Sequence, residues 1–385
     1  MDLKELEGRL ERGEDSRAQF KESVTPESLA AELVAFSNGG GGTLYIGVRD
    51  DGSISGLTAA EVRSLNQRLS NAASQGVRPA INPVSENVAT ESGIVVAISV
   101  PEGISKPYMD KDGVIWVKSG ADKRRATSRE EIQRMFQNAG LIHGDEIPVR
   151  GTTIADVDLT VFGSFYEKTY GESLDSDPAR LALLFRNMNL ATDEGLNVAG
   201  TLLFAKLPSS RLPIFIAKAV CYPGTEIDIE RYNDSQDLPG TIQDQFRSTI
   251  AFILRNLRHL QGDKGVNSEG DPEVPRIVFE ELVANALIHR DYFISAPIRI
   301  FVFSDRIEII NPGHLPNNLT IENIKNGNSN IRNPILASHA TKILPYRGLG
   351  SGIGRALKAW KDVEFVDDRE GSQFKAIIMR PQVRR

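Results

Sequence analysis

Apolar positions along the chain fall into helical and strand-like periods that alternate from end to end. In ESLAAELVAFSNGG, Leu29, Leu33, Val34 and Phe36 recur at near-helical spacing and predict a helix. The run 39–57, GGGGTLYIGVRDDGSISGL, reads as a glycine turn, a buried strand, an Asp-Asp-Gly turn and a second strand. GIVVAISVPEG, 93–103, is a further strand, and 106–136 holds a hairpin, an exposed basic loop and a closing helix. Over 175–190 the pattern is a helix, with Asp175 or Ser176 as its cap and Pro178 near its first turn. VAGTLLFAK and PIFIAKAVCY read as strands. An amphipathic helix follows, with Ile250, Ile253, Leu254 and Leu257 on one side. The polar stretch 261–275, rich in Gly and Pro, reads as a linker. Beyond it come a helix over 275–291, strands at 298–304 and 306–311, and a sharp turn at 311–316. The polar stretch 317–333 has the character of a mobile lid. A glycine run opening a helix, 347–357, and strands VEFVDD and FKAIIMR complete an α+β pattern.

The helix 275–291 carries the chemistry of most interest. Glu281 and Asn285 sit one turn apart and share a face. A carboxylate and an amide oxygen so placed can orient a water and help hold Mg²⁺, a hard ion that borrows further oxygens from phosphates. In RGLGSGIGRAL the glycines allow close backbone approach to a phosphate, and a helix N-terminus favours the anion. Together these features predict an ATP–Mg²⁺ site. Two other phosphate motifs are excluded. His289-Arg290-Asp291 resembles a kinase catalytic loop, but Ala296 stands where that motif needs Asn. No G-x-x-x-x-G-K-[ST] occurs, so a P-loop helicase motor is not encoded. His289 reads as a packing or capping residue.

The order of elements over roughly 270–385 resembles the Bergerat ATP-binding fold of the GHKL superfamily, to which gyrase B, MutL and histidine kinases belong. That resemblance implies a base role for Glu281 and a magnesium-ligand role for Asn285. The second box, normally D-x-G, reads Asn311-Pro312-Gly313, so an amide oxygen stands in for the carboxylate that accepts from adenine. The third box matches Gly350, Gly352 and Gly354, with Gly348 just before. Lys342 and Arg347 are placed to reach the γ-phosphate. The NPG variant, with HRDY after the first box, is similar to the divergent ATPase-like domain of RecG-related proteins and predicted transcriptional regulators. By the same resemblance a homo-oligomer is expected.

The N-terminal third, roughly 10–140, resembles the Schlafen AlbA-type domain. FKES, AFSNGGGGTLYIGVRDDGSISGL and KPY…VKSGADKRRAT fall in the expected succession. Nucleic-acid association, DNA or RNA, is what this implies. Schlafen nucleases gather divalent metal on three acids. Glu14 matches the first and Asp50 or Asp51 the third, but Gln19 stands at the second, which weakens a metal site. The chain carries a net charge of −6, so no global attraction to phosphate exists. The exception is 118–129, where Lys118, Lys123, Arg124, Arg125 and Arg129 face only Asp122. Tyr108 and Trp116 nearby offer rings for stacking on bases, although Trp116 in VIWVK also suits a core.

Composition narrows the remainder. Hydrophobic content of 40% and charged content of 25% are those of a globular protein. The single cysteine, Cys221, excludes an internal disulfide, and none of the five histidines lies in HExxH. The charged N-terminus is no signal peptide, and no apolar stretch reaches bilayer length, which predicts a cytoplasmic protein without a membrane partner. The chain stops after its last strand without a winged helix, an argument against a sequence-specific transcription factor. The domain expectation is a nucleic-acid-binding module at 1–140, an α+β connector at 150–268 and an ATP-binding module at 270–385. The functional expectation is a nucleotide-gated regulator, transcriptional or defensive, with weak or no turnover. A Schlafen-type nuclease and a scaffold with a decayed nucleotide site are the alternatives.

Overall fold

An unbroken apolar run makes a strand only if both faces of its sheet are covered, and GIVVAISV is such a run. The computed structural model describes residues 1–260, 270–316 and 319–381, which divide into two compact units, Met1–Leu141 and Ile142–Arg385. The first unit is built from α1 (Leu3–Leu10), β1 (Ala18–Lys21), α2 (Pro26–Asn38), β2 (Gly42–Ile46), α3 (Ala59–Asn71), β3 (Val84–Thr90) and β4 (Gly93–Val100). The strands form a sheet in the order β1-β2-β4-β3, parallel between β1 and β2 and antiparallel elsewhere. Leu44, Ile46, Val96 and Ile98 point to one face, where Leu29, Leu33, Val34 and Phe36 of α2 cover them. Tyr45, Val95 and Ala97 point to the other, against Leu6 and Leu10 of α1. A Cβ on Gly42 would lie 2.3 Å from the Phe36 ring, so only glycine lets α2 rest on β2.

Two elements of this unit carry weak sequence signals. Helix α3 starts at a Thr58/Glu61 capping box, and β3 is a mostly exposed edge. The strand expected after the Asp-Asp-Gly turn reduces to single bridges, Val48 with Ile54 and Leu57 with Ile94. The expected hairpin is β5 (Trp116–Ser119) with β6 (Asp122–Arg125), followed by α4 (Arg129–Asn138).

The second unit opens with three helices, α5 (Leu159–Tyr170), α6 (Pro178–Asn187) and α7 (Val198–Phe204). Phe162 packs against Phe185 and Phe204 at ring distances of 4.5 and 4.9 Å. Asp177, not Asp175 or Ser176, caps α6 by accepting from the Ala179 N–H. Helix α7 corrects the strand expected at VAGTLLFAK. Every residue of α7 is buried, so the run has no period to read. The usable signal was Asn197, whose side chain accepts from the Gly200 N–H.

A six-stranded sheet follows, made of β7 (Ala217–Cys221), β8 (Asp234–Leu238), β9 (Ile298–Val302), β10 (Arg306–Pro312), β11 (Val363–Asp368) and β12 (Gln373–Met379). Their order is β8-β7-β9-β10-β12-β11, with β7 and β9 parallel and the other neighbours antiparallel. Alternate residues Ala217, Ala219, Ile298, Ile300, Ile307, Ile309, Ala376 and Ile378 join one core with α8 (Ile242–Arg255) and α9 (Arg276–His289). The segment 150–268 therefore contributes two strands and α8 to the sheet and core that hold the 270–385 motifs. Most of the expected linker, 261–269, lies outside the described residues, as do 317 and 318 of the expected lid. The rest of the lid holds α10 (Ile321–Lys325) and leads into α11 (Pro334–Ile343). This last helix is no loose flap, because Ile335, Leu336, Ala337 and Ala340 are buried in the core.

The first turn of α11 receives its cap from a distant residue. Asp145 is fully buried, and one carboxylate oxygen accepts from the Leu336 N–H at 2.9 Å. Its other oxygen has no partner. Burial pushes the carboxyl from an ordinary 3.8 up to about 6, against the pull of the Leu336 and Ile335 amides. Folding thus favours the neutral acid. The stability it contributes is complete below pH 3.8 and is lost as pH rises through about 6. Asp145→Asn keeps an acceptor for Leu336 and cannot ionise. It is expected to raise the stability of the C-terminal unit at pH 7 by up to about 3 kcal/mol. Denaturant unfolding at pH 7 and at pH 3.5 checks this, since the gain should vanish at the lower pH.

Candidate nucleotide site and candidate nucleic-acid face

Helix α9 is buried on nearly every side, which places Glu281 and Asn285 in a protected setting. Glu281 is only 4% exposed, and Asn285, one turn later, is half-buried. The last helix of the unit, α12 (Gly352–Ala359), crosses directly over them. A Cβ on Gly352 would lie 2.7 Å from Glu281 Oε2 and 3.3 Å from Asn285 Nδ2, so a side chain here would have to displace the tips of both polar residues. One turn along α12, Arg355 donates from Nε to Glu281 Oε1 at 2.7 Å. Ser351 precedes α12 without a side-chain cap, which leaves the first-turn N–H groups to an anion.

These residues border a cavity that opens to solvent. Glu281, Asn285, Asn311, Gly313, Gly348, Gly350 and Gly352 all line it, as does Arg347. Asn311 closes one end. Strand pairing with Phe374 occupies its main chain, while its side chain is 6% exposed and its Oδ1 is buried without a partner. Gly313 turns the chain here at φ +99°, where a Cβ would meet Arg332 Nη1 at 2.5 Å. Gly350, at φ +70°, lies under the lid, and a Cβ there would strike the Gly327 carbonyl at 2.1 Å. The residues fit a magnesium–triphosphate. Asn285 would supply one oxygen to the metal, and the glycine loop would face the phosphates.

Two expected residues fall elsewhere. Lys342 is exposed on the last turn of α11, outside the cavity lining, and Gly354 faces open space on α12. Three residues that pattern reading passes over do line it: Arg355, Arg332 and Tyr346. The Tyr346 hydroxyl lies 3.1 Å from His289 Nε2. Burial, reinforced by Arg332, pushes His289 down to about 4, so it is neutral at pH 7. Arg355 had a discoverable signal, since it stands three residues after Gly352 and shares its helix face.

In the N-terminal unit the basic run divides into inward and outward members. Lys118 donates to Gln19 Oε1 at 2.7 Å and sits 4.7 Å above the Phe36 ring. Lys123 pairs with Glu32 at 2.7 Å, and Lys118 approaches the same carboxylate at 3.9 Å. Glu32 is 1% exposed on the apolar helix α2, so two lysines are drawn inward to neutralise it. Arg124 is bidentate with Glu131 at 2.9 and 2.6 Å. Arg125 stacks on Trp116 at 5.1 Å, and Arg129 is highly exposed. Tyr108 belongs to the core and offers no free ring.

The acids proposed for metal do not converge. Glu14 Oε1 accepts from Gln19 Nε2 and from the Phe20 N–H, both at 2.6 Å. Asp50 faces Lys21 at 3.5 Å, and Asp51 caps the Ser53 N–H. Among the described residues no group of three or more His, Cys, Asp or Glu is placed to hold a metal ion. Nor, among them, is any helix long and apolar enough to cross a membrane.

Comparison with known proteins follows the same division. The model of the family described as Schlafen, AlbA_2 matches residues 14–127. That of the family described as "Putative ATP-dependent DNA helicase recG C-terminal" matches residues 295–377, so Glu281 and Asn285 precede the matched span. No curated protein matches the chain. Among solved structures, the DIP2311 protein from Corynebacterium diphtheriae is 21% identical with a TM-score of 0.47, over 99% of this chain and 80% of that one. The N-terminal domain of a "Putative ATP-dependent DNA Helicase RecG-related Protein" from Nitrosomonas europaea is 23% identical with a TM-score of 0.25, over 33% of this chain and 91% of that one. The chain thus joins a Schlafen AlbA_2 domain at residues 14–127 to an ATPase-like domain of the recG C-terminal family at residues 295–377.

Proposed function

We propose that the chain is a nucleotide-gated, nucleic-acid-associated regulator. A magnesium–nucleoside triphosphate, ATP in the family it resembles, binds the C-terminal cavity. The observation that carries this reading is the gathering of Glu281, Asn285, the glycine loop and the unpartnered Oδ1 of Asn311 around one cavity. An unsatisfied buried acceptor is costly, and a ligand N–H relieves that cost. The phosphates rest on the 348–352 backbone and the first turn of α12, and Asn285 gives one oxygen to Mg²⁺. Glu281 orients the attacking water only once Arg355 has left it for the incoming phosphate, which keeps turnover slow. Only a difference in binding between nucleotide states can bias how the N-terminal domain holds DNA or RNA. On that domain the outward residues Arg125 and Arg129, with Arg124, form the phosphate-facing set, while Lys118 and Lys123 support the fold.

Calorimetric titration of ATP and ADP, with and without Mg²⁺, tests the nucleotide reading. Magnesium-dependent binding is expected, weakened at least about tenfold in Asn285→Ala (about 1.4 kcal/mol). Absence of binding to the wild type would sink the gated model. The Arg355–Glu281 pair yields a sign test. Arg355→Met is expected to lower ATP affinity, while Glu281→Gln raises it by releasing the arginine for the phosphate. Opposite signs in the two titrations support the exchange, and a shared sign contradicts it.

The two kinds of basic residue also separate by experiment. Replacing Lys118 and Lys123 together by Met strands Glu32 in the core and is expected to cost about 3 kcal/mol of stability, read by denaturant unfolding. Arg129→Ala should leave stability unchanged, weaken DNA or RNA binding, and lower the salt slope by about one. An unaltered slope would remove Arg129 from the interface.

A further inference from the structure

The Asn311 end of the cavity is also lined by a buried guanidinium. Arg332, between α10 and α11, lines this end and is only 7% exposed. Its Nη2 donates to the His314 carbonyl at 2.8 Å, and its Nη1 reaches the His289 carbonyl only at 3.5 Å. Among the described residues no carboxylate lies within 4.0 Å of it; Asp291 and Asp367 act on it through space. Nη1 would be 2.5 Å from a Gly313 Cβ, two residues along the chain from Asn311. The guanidinium and the Asn311 side chain both line this cavity. A guanidinium donates from five N–H bonds and accepts from none.

We propose that this end of the cavity takes a 6-oxopurine, so that the nucleotide this chain prefers is of the guanine type. The inference rests on the nucleotide reading above and deepens it. Adenine presents an amino donor at C6, whereas guanine presents an oxygen there and N–H donors beside it. Arg332 supplies the donor for that oxygen, and the vacant Oδ1 of Asn311 accepts from the neighbouring N–H groups. An adenine amino group would set donor against donor beside Arg332, in a site too buried for water to repair the mismatch. His289 adds no second cation, since burial keeps it neutral and its Nε2 lies 3.1 Å from the Tyr346 hydroxyl.

The test is calorimetric titration of GTP, ITP and ATP into the full chain with Mg²⁺. GTP and ITP are expected to bind at least about tenfold tighter than ATP. ITP shares the oxygen and the N1–H with guanine and should track GTP. ATP binding as tightly as GTP, or tighter, overturns the proposal and leaves the nucleotide site standing. No binding of any of the three removes the nucleotide reading itself. Arg332→Lys keeps a cation and a donor and should retain part of the preference, whereas Arg332→Met should bring GTP down to the level of ATP. A guanine preference that survives intact in Arg332→Met overturns the assignment to this residue.

Discussion

The burial of helix Arg276–His289 is the constraint on which the C-terminal unit depends. A helix enclosed by a sheet, by α8 and by α12 can carry a carboxylate only if something nearby answers its charge. Arg355 does so from α12, one turn along from Gly352, where the absence of a side chain leaves Glu281 and Asn285 undisturbed. The cavity is the space left beside this contact. Its floor is a packed helix and its wall a strand, so Glu281, Asn285 and Asn311 are held by the core, and only the phosphate-facing backbone belongs to a loop.

The same rule governs the N-terminal unit with the roles reversed. There Glu32 is the buried carboxylate, and it draws Lys118 and Lys123 from the basic run toward the core. A stretch that looks like one charged surface becomes two populations, one internal and one solvent-facing. Gln19, which stands where a metal-binding acid was sought, accepts from Lys118 at 2.7 Å. An ammonium thus occupies the neighbourhood in which an acid cluster would have held a divalent ion.

Much of this was legible in the residues. Glu281, Asn285, Asn311, Gly313, Gly348, Gly350 and Gly352 come together because their spacing is local and each spacing encodes a geometry. What escaped is what joins distant segments. Arg355 meets a residue 74 positions away; its place on the Gly352 face of α12 was readable, its partner was not. VAGTLLF failed for another reason, since a wholly buried helix and a wholly buried strand write the same letters. The basic run misled because charge was counted along the chain, while the deciding residue was a glutamate inside an apolar helix. Glu32 in ESLAAELVAF is a buried charge in need of a cation, and that signal was available.

The position of β12 has a consequence for how the protein is made. This strand pairs with β10 on one side and β11 on the other, and it supplies the main-chain partner of Asn311. On the ribosome, most of what lines the cavity is synthesised earlier, yet β12 itself adds Phe374 and Ala376, and β10 keeps an open edge until residues 373–379 have emerged. The N-terminal unit has no such debt, because its sheet closes within its first hundred residues. The nascent chain therefore matures in sequence, with the AlbA-type domain folded well before a nucleotide has any place to sit.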